Sequence, residues 1–144
     1  MSSVKPKPRA GNWLLLAGLL LVAAVGTATE IPGAEPFTEA RFDTLRAQGQ
    51  LVLVDIAADW CPTCRRQREV LAAFQGRHAD AGLHILTVDF DRQKEWVRHF
   101  KAPRQSTFIL FRGDEQLWFA VAEVRETVIF DQLLRAAGLA AAAP

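Results

Sequence analysis

Apolar residues change their spacing along the middle of the chain. Leu51 to Ile56 (Leu-Val-Leu-Val-Asp-Ile) is a run of aliphatic and β-branched residues long enough for one buried strand. From Pro62 the spacing turns helical, with Val70, Leu71 and Phe74 recurring on one side. Before that strand, Phe37, Phe42 and Leu45 stand among charged residues and predict a helix over Phe37 to Gln48, ending near Gly49. After it come a polar connection from Gly76 to Gly82, a second buried strand from His84 to Phe90, and a short helix from Lys94 to Phe100 with Trp96, Val97 and Phe100 inward. Thr107 to Phe111 and Gln116 to Val121 predict two strands, joined around Gly113 in an antiparallel hairpin. Arg125 to Ala137, with Val128, Ile129, Leu133 and Leu134, closes the pattern as a helix. Strands alternating with helices imply parallel neighbours and the α/β class, here with the hairpin making the sheet mixed.

The N-terminus follows a different pattern. Residues 1–29 carry Lys5, Lys7 and Arg9 but no acid, and Trp13 to Val25 is apolar apart from Gly18. A basic leader, an apolar run of about thirteen residues and small residues near Gly26 predict a signal peptide or an N-terminal membrane anchor. Either one implies an exported domain, periplasmic or tethered on the outer side of a membrane. Pro32, Gly33 and Pro36 make 30–36 a linker, residues 37–139 the single domain, and 140–144 a frayed tail. The net charge of +1 conceals the division, because beyond residue 29 there are 14 basic against 16 acidic residues. A near-neutral domain of this kind has no basic stripe for nucleic acid.

The candidate chemistry lies where the first strand meets its helix. The chain's two cysteines, Cys61 and Cys64, flank Pro62 and Thr63, and proline favours the first helical position, where its missing N–H has no partner to lose. Cys61 is then the N-cap, facing the unpaired N–H groups and the positive end of the helix dipole, which favour a thiolate. Cys64 lies on the same face, within reach of a disulfide. As a structural staple, a disulfide closing so short a loop contributes only about 2 kcal/mol. A structural zinc needs four ligands, and His78, His84 and His99 have no ligand spacing relative to the cysteines. Redox exchange therefore accounts for the pair best. A non-enzymatic module holding a soft metal such as Cu(I) between the sulfurs, and an interaction domain with an idle disulfide, are the alternatives.

The segment Val54-Asp55-Ile56-Ala57-Ala58-Asp59-Trp60-Cys61-Pro62-Thr63-Cys64 resembles the active-site segment of the thioredoxin family, with the likeness running from about Phe37 to Leu139. The resemblance implies the thioredoxin fold and a protein-disulfide oxidoreductase whose only redox group is the Cys61–Cys64 disulfide, with no bound cofactor or metal. It implies Cys61 as nucleophile, Cys64 as resolving thiol and Asp55 as the buried acid beneath them, with Trp60 beside the cysteines. Partners would be protein thiols and disulfides, with a membrane electron-donor protein to keep an exported reductase reduced.

Several residues should tune such a site. Asp55 among Leu51, Val52, Leu53, Val54 and Ile56 is costly to bury charged, so its pKa should rise into the range useful for taking a proton from Cys64. Asp59 and Arg65 are expected at the surface as modulators, and Trp96, Trp118 and the histidines carry no functional claim. The resemblance fails at Ser106, which stands where the family normally has a cis-proline opposite the cysteines; Gln105–Ser106 is then either trans or a strained cis peptide. Where proline has no N–H, Ser106 brings a hydroxyl able to hydrogen-bond the Cys61 thiolate. Thr87 falls where the family often keeps a lysine near the buried acid. Glu123 falls at a groove glycine, which predicts a more acidic groove.

Overall fold

The structure, a computed structural model, describes Met1 and residues 30–139. The expected signal or anchor (apart from Met1) and the tail 140–144 lie outside the described residues. Five strands form one mixed sheet: β1 (Ala34–Pro36), β2 (Leu51–Ala57), β3 (Leu83–Asp89), β4 (Thr107–Arg112) and β5 (Glu115–Val121), in the order β1-β3-β2-β4-β5. β3 runs parallel to both β1 and β2, while β4 is antiparallel to β2 and to β5. The helices are α1 (Glu39–Ala47), α2 (Pro62–Arg77), α3 (Lys94–His99) and α4 (Glu126–Ala137). This is the mixed α/β sheet expected from the chain's periodicity, in the thioredoxin fold implied by its resemblance.

Alternation along β2 separates two cores. Leu51 and Leu53 pack with Val70, Leu71 and Phe74 of α2 and with Ile129, Leu133 and Leu134 of α4. Val52, Val54 and Ile56 point the other way, against Phe42 and Leu45 of α1, Val97 of α3 and Phe100 that caps α3. A strand buried on both faces is why β2 reads as a continuous apolar run rather than an alternating one. It also fixes Asp55, which shares the parity of Leu51 and Leu53, on the α2 side of the sheet.

Two boundaries depart from the sequence pattern. The stretch expected as a linker supplies β1, with Ala34, Glu35 and Pro36 in register with Ile85, Leu86 and Thr87. Pro36 tolerates this edge because its missing N–H breaks no ladder bond there, and Phe37 N–H then donates to Thr87 O at 2.9 Å. The expected polar connection from Gly76 is shorter, since α2 runs on to Arg77 before a single 3-10 turn at Ala79–Ala81. The hairpin turn behaves as expected: Gly113 has φ +55, and a side chain there would come within 3.5 Å of Arg46 O.

Phe74 anchors the core beneath α2, fully buried and edge-on to Phe130 with ring centroids 5.1 Å apart. Phe74→Ala should therefore cost about 3–5 kcal/mol, read as a lower denaturant midpoint at unchanged slope.

Candidate active site

Helix α2 begins as the sequence predicts. Cys61 is its N-cap in extended conformation (φ −88°, ψ 115°), Pro62 occupies the first turn, and the Cys61 Sγ accepts the Cys64 N–H at 3.2 Å. Thr63, half-buried, completes that turn. The described thiols are both free, and they pack with Ala57 and Ala58 at the end of β2. Both cysteines are nearly covered, Cys61 keeping 3% of its surface and Cys64 1%.

Ser106 closes the site from the opposite side. Its hydroxyl lies 3.1 Å from Cys61 Sγ and 3.0 Å from Cys64 Sγ, so one oxygen spans both sulfurs. No peptide among the described residues is cis, so Gln105–Ser106 is trans, and Ser106 instead takes a left-handed φ of +61°. Its N–H donates to Ile56 O at 2.8 Å, and its carbonyl accepts the Ala122 N–H at 2.8 Å. Proline could supply neither that N–H nor that φ, so the local backbone is built for a residue other than proline.

The two thiols are unlike each other electrostatically. Burial pushes the Cys61 thiol up, but hydrogen bonds from the Cys64 thiol, the Ser106 hydroxyl and the N–H groups of Cys64 and Thr63 outweigh it and bring Cys61 below its ordinary value. For Cys64, burial and the hydrogen bond it gives to Cys61 raise the thiol, with the Ser106 hydroxyl and the Ala58 backbone opposing. One sulfur is prepared as an anion and the other is kept protonated.

Asp55 is 1% exposed, and neither carboxylate oxygen has a protein hydrogen-bond partner. Burial raises its pKa to about 7, with the positive charge of Arg68 pulling the other way. Arg68, on α2 one turn beyond Cys64, leans over the Asp59 carboxylate at 3.3 Å. Both line a cavity of about 560 Å³ with Ala57 and with Thr87, the register partner of Asp55. The cation near the buried acid thus comes from α2, not from β3.

The remaining expectations divide. Trp60, expected beside the cysteines, is 60% exposed, its ring N–H donating to Asp91 Oδ2 at 2.7 Å. Arg65 and Asp59 are both exposed, as expected. Glu123 does not make the groove acidic as expected: its carboxyl is held by Arg125 through side-chain and backbone hydrogen bonds, which pull it down to about 2 and neutralise its charge locally. Sequence reasoning missed Gln67, which is fully buried and whose Nε2 donates to Ser106 O at 3.3 Å and Glu123 O at 2.9 Å. The available signal was a polar residue on the buried face of α2, between Cys64 and Val70. Among the described residues no three His, Cys, Asp or Glu side chains gather as a ligand set.

Comparison with known proteins places this geometry. The thioredoxin family model matches residues 34–135. The chain is 30% identical over 116 residues to Thioredoxin H2-1 of Oryza sativa subsp. japonica, covering 81% of this chain and 75% of that one. It is 28% identical over 108 residues to Thioredoxin H3 of Arabidopsis thaliana, covering 75% and 89%. Among solved structures it is similar to Trxlp from Edwardsiella tarda EIB202, at 36% identity and a TM-score of 0.66 over 69% of this chain and 97% of that one. The thioredoxin NaTrxh from Nicotiana alata, at 20% identity and a TM-score of 0.63 over 76% and 97%, shares the fold. The two plant sequence relatives, both H-type thioredoxins, contradict the expectation of an exported, periplasmic or membrane-anchored protein. With a family match over most of its length and a Cys-Pro-Thr-Cys pair at the head of α2, the chain belongs to the thioredoxin family and is a thiol-disulfide oxidoreductase acting on protein thiols and disulfides.

Proposed function

We propose that the protein reduces protein disulfides, with Cys61 as the attacking thiolate, Cys64 as the resolving thiol and Asp55 as the acceptor of the Cys64 proton. The observation that carries this reading is the asymmetry at the helix start, where Cys61 Sγ receives the Cys64 N–H at 3.2 Å and the Ser106 hydroxyl at 3.1 Å. A thiolate stabilised there attacks one sulfur of a substrate disulfide, forms a mixed disulfide and releases the other substrate sulfur as a thiolate. Cys64 then gives its proton to the Asp55 carboxylate and attacks Cys61 Sγ. The Cys61–Cys64 disulfide forms, the second substrate thiolate departs, and two electrons have passed from the protein to the substrate. A donor dithiol on a partner protein restores the reduced pair by the reverse exchange. The membrane electron donor is set aside together with export.

Hydrogen bonds to the Cys61 thiolate stabilise the reduced pair as well as activating it. They make the protein a milder reductant than the same site without them. Trp60, exposed beside Cys61 and tethered to Asp91, gives substrate a flat apolar surface next to the reactive sulfur.

Cys61→Ser should abolish insulin disulfide reduction, whereas Cys64→Ala should still attack and stall as a mixed disulfide with substrate. Reduction persisting in Cys61→Ser would contradict the assignment. Asp55 gives a second test. Its pKa of about 7 predicts that the resolving step slows as pH falls through that value. Asp55→Asn should lose this inflection and resolve about 10²-fold more slowly above it. Stability should move oppositely. A carboxyl whose pKa is raised on folding favours the folded state at low pH, and that advantage disappears as pH rises from about 4 to about 7. Asp55→Asn should therefore be more stable than the parent by a few kcal/mol at pH 8 but not at pH 4. Equal denaturant midpoints of parent and variant at both pH values would contradict the buried charge.

A further inference from the structure

We propose that Ser106 is a catalytic residue whose single hydroxyl proton serves the two sulfurs in turn, donating to Cys61 in the reduced dithiol and to Cys64 once Cys61 is held in the mixed disulfide. This rests on the thiol roles given above. A hydroxyl has one proton and two lone pairs, and that of Ser106 lies at hydrogen-bond distance from both sulfurs at once, 3.1 Å and 3.0 Å, in a fully buried position. In the reduced state the Ser106 O–H donates to the Cys61 thiolate, to which the Cys64 thiol also donates a hydrogen bond, and the second sulfur stays within the same hydroxyl's reach. After attack, Cys61 Sγ has two covalent bonds and no charge, and it ceases to be a strong acceptor. When Cys64 gives up its proton, the negative charge appears at the other end of the same oxygen's reach. Rotation about the Ser106 Cβ–Oγ bond then redirects the O–H to Cys64 with no movement of a heavy atom. Ser106 gains and loses no proton over the cycle. Cys64 supplies the proton to Asp55 and the electron pair to the new S–S bond, and the substrate thiolate leaves with the pair from the broken one.

The backbone holds this hydroxyl in place against a preference for something else. A non-glycine residue at φ +61° is strained by about 1 kcal/mol or more, and glycine would fit without that cost. Serine at this position makes sense for its hydroxyl. Its N–H is fixed to Ile56 O, and its carbonyl is fixed by Ala122 N–H and by Gln67 Nε2. Gln67 belongs to the helix that carries Cys64, one turn further on, and also donates to Glu123 O. It is a positioning residue that holds the sulfurs and the Ser106 segment in fixed relation. The unpartnered Oε1 of this buried amide is a cost the helix accepts for that tie.

Ser106→Gly isolates the hydroxyl, because glycine suits φ +61° and a thermal melt at least equal to the parent's is expected. The reduced full chain is mixed in stopped flow with dithiobis(nitrobenzoate), a symmetric aromatic disulfide. The first equivalent of coloured thiolate reports attack by Cys61, and the second reports resolution by Cys64. Losing a hydrogen bond to a charged sulfur should move the pH midpoints of both phases upward by about one unit or more, and slow the second phase about ten-fold at pH 7. A shift in the first phase with an unchanged second phase would overturn the proposal, leaving Ser106 as a partner of Cys61 alone. So would two unchanged phases. Gln67→Met, which keeps the volume and withdraws the donor, should move the second-phase midpoint the same way by a smaller amount; no movement would reduce Gln67 to packing. Failure of the underlying roles reads differently, as a parent protein that releases no first equivalent through Cys61.

Discussion

A sulfur anion held out of water must recover its lost hydration from fixed donors, and in this protein the donors are shared unequally between two neighbouring sulfurs. Cys61 receives backbone N–H groups at the start of α2, the Ser106 hydroxyl and the Cys64 thiol. Cys64 commits its own proton to that arrangement and is left higher. The order of events, attack by one sulfur and resolution by the other, follows from this inequality more than from exposure, since both sulfurs are nearly covered. The rest of the fold maintains it. Pro62 starts the helix, the two cores fix β2 against α2, and the Ile56 carbonyl at the end of β2 holds the Ser106 N–H.

Two features around the sulfurs cost folding free energy. Ser106 and Ala122 both adopt left-handed φ values, and the N–H of the second bonds the carbonyl of the first. Asp55 sits without a protein hydrogen-bond partner where apolar residues surround it, and it titrates near neutral pH as a result. Strain and an unsatisfied carboxyl are tolerated because β2, β4 and α2 are over-determined by their packing. Packing in the Phe74 and Phe42 cores offsets what the site loses.

Much of this was legible in the order of residues. The buried strand, the proline at the helix start and the cysteine pair fix the N-cap sulfur directly, and an aspartate among Leu53, Val54 and Ile56 signals a raised pKa. Other parts were not legible because they depend on pairing across the fold. β1 is three residues long beside Pro32, Gly33 and Pro36, and only its register with β3 makes it a strand. A serine in place of a cis-proline poses the question of backbone shape, but its answer lies in Ile56 O and Ala122 N, distant in sequence. Arg68 is indistinguishable from Arg65 and Arg66 until α2 is docked, and Glu123 reads as an acidic groove until Arg125 is seen bound to it. The apolar N-terminal run suggested export, but the relatives did not support it.

The central claim is that the two thiols ionise separately, one below and one above an ordinary thiol. Following thiolate ultraviolet absorbance of the reduced protein against pH tests it most directly, with Cys64→Ala to assign the first step. The account predicts one equivalent appearing below the free-thiol value of about 8.5 and the second clearly above it. Two equivalents appearing together near that value would contradict it.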